Sequence, residues 1–135
     1  MTFTADRAQL PDACEFIQEA SAACGFDDRT NYACQLAVCE AVENIFRHGY
    51  RAGAAGKVHL STEIRPGELT VEIVDSAPPF DPTRFQTTEW TPSSDPEVGG
   101  RGLLMIRRVM DVIGYERRGN QNVLRLTKNR PFTGV

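Results

Sequence analysis

The order in which helical and strand-like spacings of apolar residues follow one another constrains the fold of this chain more than any other sequence feature. Helical spacing of apolar residues dominates the first third, and strand-like alternation follows in two runs, Lys57 to Ile64 and Glu68 to Asp75. In the second run Leu69, Val71 and Ile73 alternate with polar residues, which predicts a hairpin with one buried face. Helices first and strands later predict an α/β two-layer sandwich, with helices on one face of a mixed, mainly antiparallel sheet.

Start and stop signals give approximate bounds to the first two helices. The first helical pattern begins near Asp6 and ends at Gly25. Asp27 or Asp28 can cap the second helix, because a carboxylate accepts hydrogen bonds from unpaired amides of the first turn. We expect this second helix to end at Gly49 in a left-handed conformation.

The second half of the chain contains a long segment without periodicity and then a return to regular structure. Ala77 to Val98 is rich in Pro, Thr and Ser, which predicts a loop that binds a ligand or moves. A third helix is predicted from near Gly100, and strand-like segments follow around 112–118 and 123–127. A short first strand at Phe3 completes the predicted elements.

Composition limits the class of protein. The 135 residues allow one domain, 1–135, and an apolar fraction of 41% with 24% charged residues argues against disorder. No membrane-spanning segment or signal peptide is visible, so the cytosol is the expected location and no membrane contact is expected. A net charge of −3 gives no support to direct nucleic-acid binding.

The cysteines are interpreted as reduced core residues. None has the Cys-x-x-Cys spacing of a metal site, and only two histidines could join them. All four lie in the first third, at Cys14, Cys24, Cys34 and Cys39.

The second helix carries polar groups where packing would favour apolar ones. Glu40, Asn44 and His48 are four residues apart and are expected to share one helical face. A carboxylate and an amide oxygen one turn apart can serve as a proton acceptor and a ligand for a hard cation, the pair that phosphoryl transfer with magnesium requires. An ordinary solvated helix face is the alternative.

Two later segments suit a nucleotide. Asp75 ends a strand, and its carboxylate could accept a hydrogen bond from an exocyclic amine such as that of adenine. Gly100 and Gly102 precede a helix, whose unpaired first-turn amides suit phosphate. Taken singly, Asp75 could merely start a turn and the glycines could form a hinge.

The order of these three segments resembles the nucleotide-binding boxes of the Bergerat (histidine-kinase-like ATPase) fold. Gyrase, a heat-shock chaperone, histidine kinases and MutL share this fold. Within it, the compact length, the His48-Gly49-Tyr50 ending and Met110-Asp111 after the third helix are most similar to bacterial anti-sigma factor serine kinases.

This resemblance implies a role for each candidate site residue. Glu40 would be the general base acting on the acceptor serine of a partner. Asn44 would coordinate Mg²⁺, and Asp75 would recognise the adenine of ATP. The phosphates would be held by backbone amides of Gly100, Gly102 and Leu103, with Arg101 reaching the nucleotide. Residues 82–98 would form a lid.

Two departures from the family pattern bear on nucleotide binding. Ala77 stands where glycine is usual and precedes Pro78, which restricts it to extended conformations, so weaker nucleotide affinity is expected. Gly119-Asn120-Gln121-Asn122 replaces the usual Gly-Thr, which puts a second adenine contact in doubt.

The resemblance predicts a kinase that binds a sigma factor and phosphorylates a STAS-type anti-anti-sigma protein on serine. Homodimerisation is also expected from the family. Two alternatives remain open at this stage. One is a switch kinase of the same fold that activates a phosphatase, and the other is a nucleotide-binding interaction module without kinase activity.

Overall fold

The computed structural model describes residues 2–50, 56–79 and 100–133, and the side chains of all of these except residues 100–103. The predicted lid at 82–98 lies outside these residues, as does the predicted loop from position 80 onward. No helix in the described ranges is both long and apolar enough to cross a membrane.

The helices begin and end close to the predicted positions. A 3₁₀ turn at Arg7–Gln9, capped by Asp6, leads into α1 (Leu10–Ala23), and Gly25 follows α1 with a φ of 80°. Asp27 rather than Asp28 caps α2 (Asp28–Asn44), because its side chain accepts a hydrogen bond from the amide of Thr30 at 2.7 Å. Helix α3 spans Gly100–Val109.

Within the described residues, five strands form one sheet in the order β1-β2-β3-β5-β4. Every pairing among them is antiparallel, whereas a mixed, mainly antiparallel sheet was predicted. The predicted two-layer architecture is thereby confirmed. The strands are β1 (Thr2–Ala5), β2 (Val58–Arg65), β3 (Glu68–Asp75), β4 (Val112–Arg118) and β5 (Gln121–Lys128).

The core lies between the helices and one face of this sheet. In β3 the alternation of burial follows the alternation of the sequence, so that Leu69, Val71 and Ile73 are fully buried. Asp75 continues the same alternation and therefore also faces the helical layer. The apolar pattern of the strand thus delivers a carboxylate to the inner face at the point where the strand ends.

The interpretation of all four cysteines as reduced is wrong for one pair. Cys14 of α1 and Cys39 of α2 form a disulfide, with their Cα atoms 5.6 Å apart. Sequence spacing could not reveal this pair, because it depends on the packing of α1 against α2.

Cys24 and Cys34 are free and buried, as predicted. Burial raises the pKa of the Cys34 thiol to about 12, so the thiol stays protonated at neutral pH.

Candidate functional site

Asp75 and Asn122 form the centre of a buried polar cluster on the inner face of the sheet. They are direct partners across β3 and β5, and they are only 4% and 5% exposed. Asp75 Oδ1 accepts hydrogen bonds from Asn122 Nδ2 and from the amide of Ala77, each at 2.9 Å. Within the described residues Asp75 Oδ2 accepts none, so one carboxylate oxygen remains available to a ligand.

Asn122 also holds the turn that follows Asp75. Its Nδ2 lies 3.1 Å from the carbonyl oxygen of Ala77 and 3.2 Å from that of Pro78, and the hydroxyl of Tyr115 donates to its Oδ1. Arg117 Nη1 reaches the same Ala77 oxygen at 2.9 Å. The turn is therefore fixed by side chains of the β4–β5 hairpin.

Ala77 stands where the family pattern has glycine, and its backbone is not in the left-handed conformation. No non-glycine residue in the described ranges has a positive φ, and Ala77 is buried. Its methyl group lies against Gly49, where an added Cβ would be 3.0 Å from that of Ala77. The conformational reason for expecting weaker nucleotide binding is thus absent, while the affinity itself stays a prediction.

Two polar side chains at the end of α2, Glu40 and Asn44, have no partner within the described residues. Glu40 and Asn44 are both half-buried. Neither side chain makes a hydrogen bond or ion pair with any residue in the described ranges. Their neighbour Glu43, by contrast, forms an i,i+4 ion pair with Arg47. Glu40 and Asn44 therefore have unused hydrogen-bonding capacity one helical turn apart.

His48 lies beyond the end of α2. The chain passes from α2 into a π turn, Ile45–Gly49, closed by a hydrogen bond from the amide of Tyr50 to the carbonyl of Ile45 at 2.8 Å. His48 is therefore not part of one uninterrupted α-helix with Glu40 and Asn44. It is exposed and has no hydrogen bond within the described residues.

The predicted role of Gly49 is also wrong, since its φ is not positive. Glycine is needed there because Ala77 approaches closely. A second contact lies beside it: the amide of Ser76 donates to the hydroxyl of Tyr50 at 2.8 Å. These two contacts bring the end of the segment carrying Glu40 and Asn44 onto the turn that follows Asp75.

Helix α3 supplies the third candidate element. Within the described residues it spans Gly100–Val109, so Gly100, Arg101, Gly102 and Leu103 form its first described turn. Buried Ile106 and Val109 belong to the core, and α3 packs against α2. The side chains of Arg101 and Leu103 lie outside the described set.

Sequence reasoning missed Asn122, Tyr115 and Arg117 as members of this cluster. Asn122 was visible only as a departure from a family pattern. A strand register that pairs Asp75 with Asn122 and Asn122 with Arg117 would have identified two of them. No local sequence motif indicates the register in which these strands pair.

Comparison with known proteins agrees with this geometry. The family model described as the histidine kinase-like ATPase domain matches residues 3–128, and the chain belongs to this family. Membership implies ATP binding. The solved histidine kinase domain of a blue-light activated histidine kinase from Erythrobacter litoralis has a TM-score of 0.54 at 16% identity. The match covers 90% of this chain and 59% of the histidine kinase domain chain. At this low identity the similarity concerns the fold alone.

Two similar proteins carry kinase or anti-sigma names. The chain is 28% identical to the serine/threonine-protein kinase BtrW of Bordetella bronchiseptica, over 87% of this chain and 84% of that protein. It is 34% identical to an anti-sigma F factor of Clostridium botulinum, over 57% of this chain and 54% of that protein. The chain thus spans about half of the second relative.

Proposed function

We propose that this protein is a cytosolic ATP-dependent protein serine kinase acting as an anti-sigma factor. It binds a sigma factor and phosphorylates a STAS-type anti-anti-sigma partner on serine. Residues 1–135 form a single domain that acts as a homodimer. The similar proteins named serine/threonine-protein kinase and anti-sigma F factor support this proposal.

One observation carries the kinase assignment. Glu40 and Asn44 are half-buried, have no partner within the described residues, and lie on a helix whose continuation contacts the turn after Asp75. This arrangement supports a general base and a cation ligand on one side of a nucleotide site and a base-recognising carboxylate on the other.

The chemistry of these residues suits a magnesium nucleotide. The side-chain oxygen of Asn44 is a hard ligand suited to Mg²⁺, which usually binds one or two protein oxygens together with phosphate oxygens. The ion, when bound, neutralises charge on the transferring phosphate. Amides of Gly100, Gly102 and Leu103 donate to the phosphates, and Arg101 reaches the nucleotide. Asp75 Oδ2 accepts from the adenine amine.

Glu40 acts on the partner. The serine hydroxyl of the partner forms a bond to the γ-phosphorus while the bond to the ADP oxygen breaks, and Glu40 accepts the hydroxyl proton. The product serine gains a charge of about −2 at a site that was neutral, which weakens an interface by repulsion and desolvation. This gives partner switching a physical basis.

The test combines the protein, labelled ATP, Mg²⁺ and a STAS-type anti-anti-sigma protein from the same genome. We expect serine phosphorylation of that partner and a loss of about 100-fold or more in Glu40→Gln, with ATP binding retained. Glu43→Gln is the matched control, because Glu43 pairs with Arg47 on a neighbouring position of the helix. Transfer at the original rate in Glu40→Gln would refute the assigned base.

The same assay separates the two rival functions. Nucleotide binding without any serine phosphorylation would favour a non-catalytic interaction module. Phosphorylation without capture of a sigma factor in a pull-down would favour a switch kinase that activates a phosphatase.

A further inference from the structure

The hydroxyl of Tyr50 joins two backbone positions that the sequence separates. It donates to the carbonyl oxygen of Lys57 at 2.7 Å and accepts from the amide of Ser76 at 2.8 Å. Lys57 immediately precedes β2, and Ser76 immediately follows Asp75. A phenolic hydroxyl has one proton to donate and lone pairs to accept, so one atom satisfies both backbone groups at once.

The ring of Tyr50 is held in place from several sides. Its backbone amide closes the π turn, and its ring centroid lies 6.3 Å from that of Phe46. The backbone of Gly56 approaches so closely that an added Cβ would fall 2.4 Å from ring atoms. The ring therefore packs beside Gly56 and Phe46. These contacts give the hydroxyl a defined position.

The hydroxyl of Tyr50 contacts the backbone of Ser76, the residue that follows Asp75. Besides the contacts from Asn122 and Arg117, two backbone amides of the Asp75–Ala77 turn donate hydrogen bonds, that of Ala77 to Asp75 Oδ1 and that of Ser76 to the hydroxyl of Tyr50. The first orients the carboxylate relative to the turn. The second orients the turn relative to the segment that follows Glu40 and Asn44.

We propose that Tyr50 is a positioning residue for nucleotide selectivity, acting through the turn at Ser76 on the direction of the Asp75 carboxylate. This inference rests on the proposed nucleotide site and adds a residue to it. Adenine presents an amine donor where guanine presents a carbonyl acceptor. A carboxylate oxygen repels the guanine carbonyl only while it points at that position of the base. Loss of the Tyr50 hydroxyl should therefore weaken discrimination between adenine and guanine.

The test is equilibrium binding of ATP and of GTP, each with Mg²⁺, to the full chain and to Tyr50→Phe. The variant loses the hydrogen bonds to Lys57 and from Ser76, of which only the second holds the turn. Loss of that one neutral hydrogen bond corresponds to about a fivefold change, so we expect the ratio of GTP to ATP dissociation constants to fall about fivefold. Phenylalanine retains the ring beside Gly56, so the fold should persist. Tyr32→Phe is the matched control, because Tyr32 is 63% exposed and makes no hydrogen bond within the described residues.

The outcomes separate this inference from the proposed function. An unchanged ratio in Tyr50→Phe, or an unaltered protein that binds both nucleotides equally, would overturn the role of Tyr50 alone. An unaltered protein that binds neither nucleotide would overturn the proposed site as well.

Amide hydrogen exchange provides a measurement that needs no variant. The Ser76 amide should be protected in the unaltered protein, and exchange as fast as in an unfolded peptide would contradict the hydrogen bond to Tyr50.

Discussion

Asp75 and Asn122 face each other across β3 and β5, and the side-chain amide of Asn122 donates to one oxygen of the Asp75 carboxylate at 2.9 Å. The same amide nitrogen is within hydrogen-bonding distance of two carbonyl oxygens in the following turn. A residue outside the expected family pattern thus orients the proposed adenine-binding carboxylate.

Asn122→Ala should weaken both the fold and nucleotide binding. Buried acceptors at Asp75 and Pro78 would lose this donor, which we expect to cost about 2 kcal/mol of unfolding free energy and about tenfold in ATP affinity. Urea denaturation and calorimetric titration measure the two effects. Asn120→Ala is the control, because Asn120 lies exposed in the β4–β5 turn. Equal ATP affinity in the two variants would contradict a role for Asn122 at the site.

Gly49→Ala should destabilise the protein through a single contact. The new methyl group would lie 3.0 Å from Cβ of Ala77, and we expect a loss of about 1 to 3 kcal/mol in unfolding free energy. Adding Ala77→Gly removes the opposing methyl group and should restore most of this loss. A double-mutant cycle by urea denaturation measures the coupling.

Gly114→Ala is the control for that cycle, since an added Cβ there meets nothing within 4 Å. Additive effects of Gly49→Ala and Ala77→Gly would show that the two residues do not restrict each other.

The Cys14–Cys39 disulfide should stabilise the protein only under oxidising conditions. Its cysteines are 25 positions apart, and closing a loop of that length contributes about 3 kcal/mol in the chain-entropy account. Without reductant, Cys14→Ser should therefore unfold at lower urea than the unaltered protein, and the two should converge when reductant is added. Thiol titration of the denatured, unreduced protein should detect two thiols, and four would disprove the pairing.

Asp111 should make stability depend on pH in the acid range. Burial alone would raise its pKa, but hydrogen bonds from the amides of Asn129 and Arg130 and from the ammonium of Lys128 outweigh burial and lower it below 3.8. A carboxyl whose folded pKa is lowered contributes stability above its unfolded pKa and loses it as the pH falls through the folded value.

Asp111→Asn should therefore be destabilised at pH 7, because it leaves the buried Lys128 without its carboxylate partner. The difference in unfolding free energy between the variant and the unaltered protein should shrink below pH 4. Urea denaturation from pH 7 to pH 3 measures this difference. Glu116→Gln, which removes one member of an exposed pair with Arg118, should show little difference at any pH. A difference for Asp111→Asn that stays constant with pH would contradict the lowered pKa.

Much of the fold was predictable because its signals are local. Alternation in β3, the cap at Asp27 and the glycine after α1 each depend on neighbours within a few residues, and each matches the structure. The π turn was not predictable in this way. It follows an apparently regular helical pattern at the end of α2.

The sequence by itself determined the order of elements and the types of side chain at their ends: Glu40 and Asn44 at the end of a helix, Asp75 at the end of a strand, and glycines before a third helix. Only the tertiary structure decided which residues meet these groups. Asn122 against Asp75, Gly49 against Ala77 and Cys14 with Cys39 depend on strand register and helix packing. Those contacts join positions far apart in the chain, so no local periodicity can specify them.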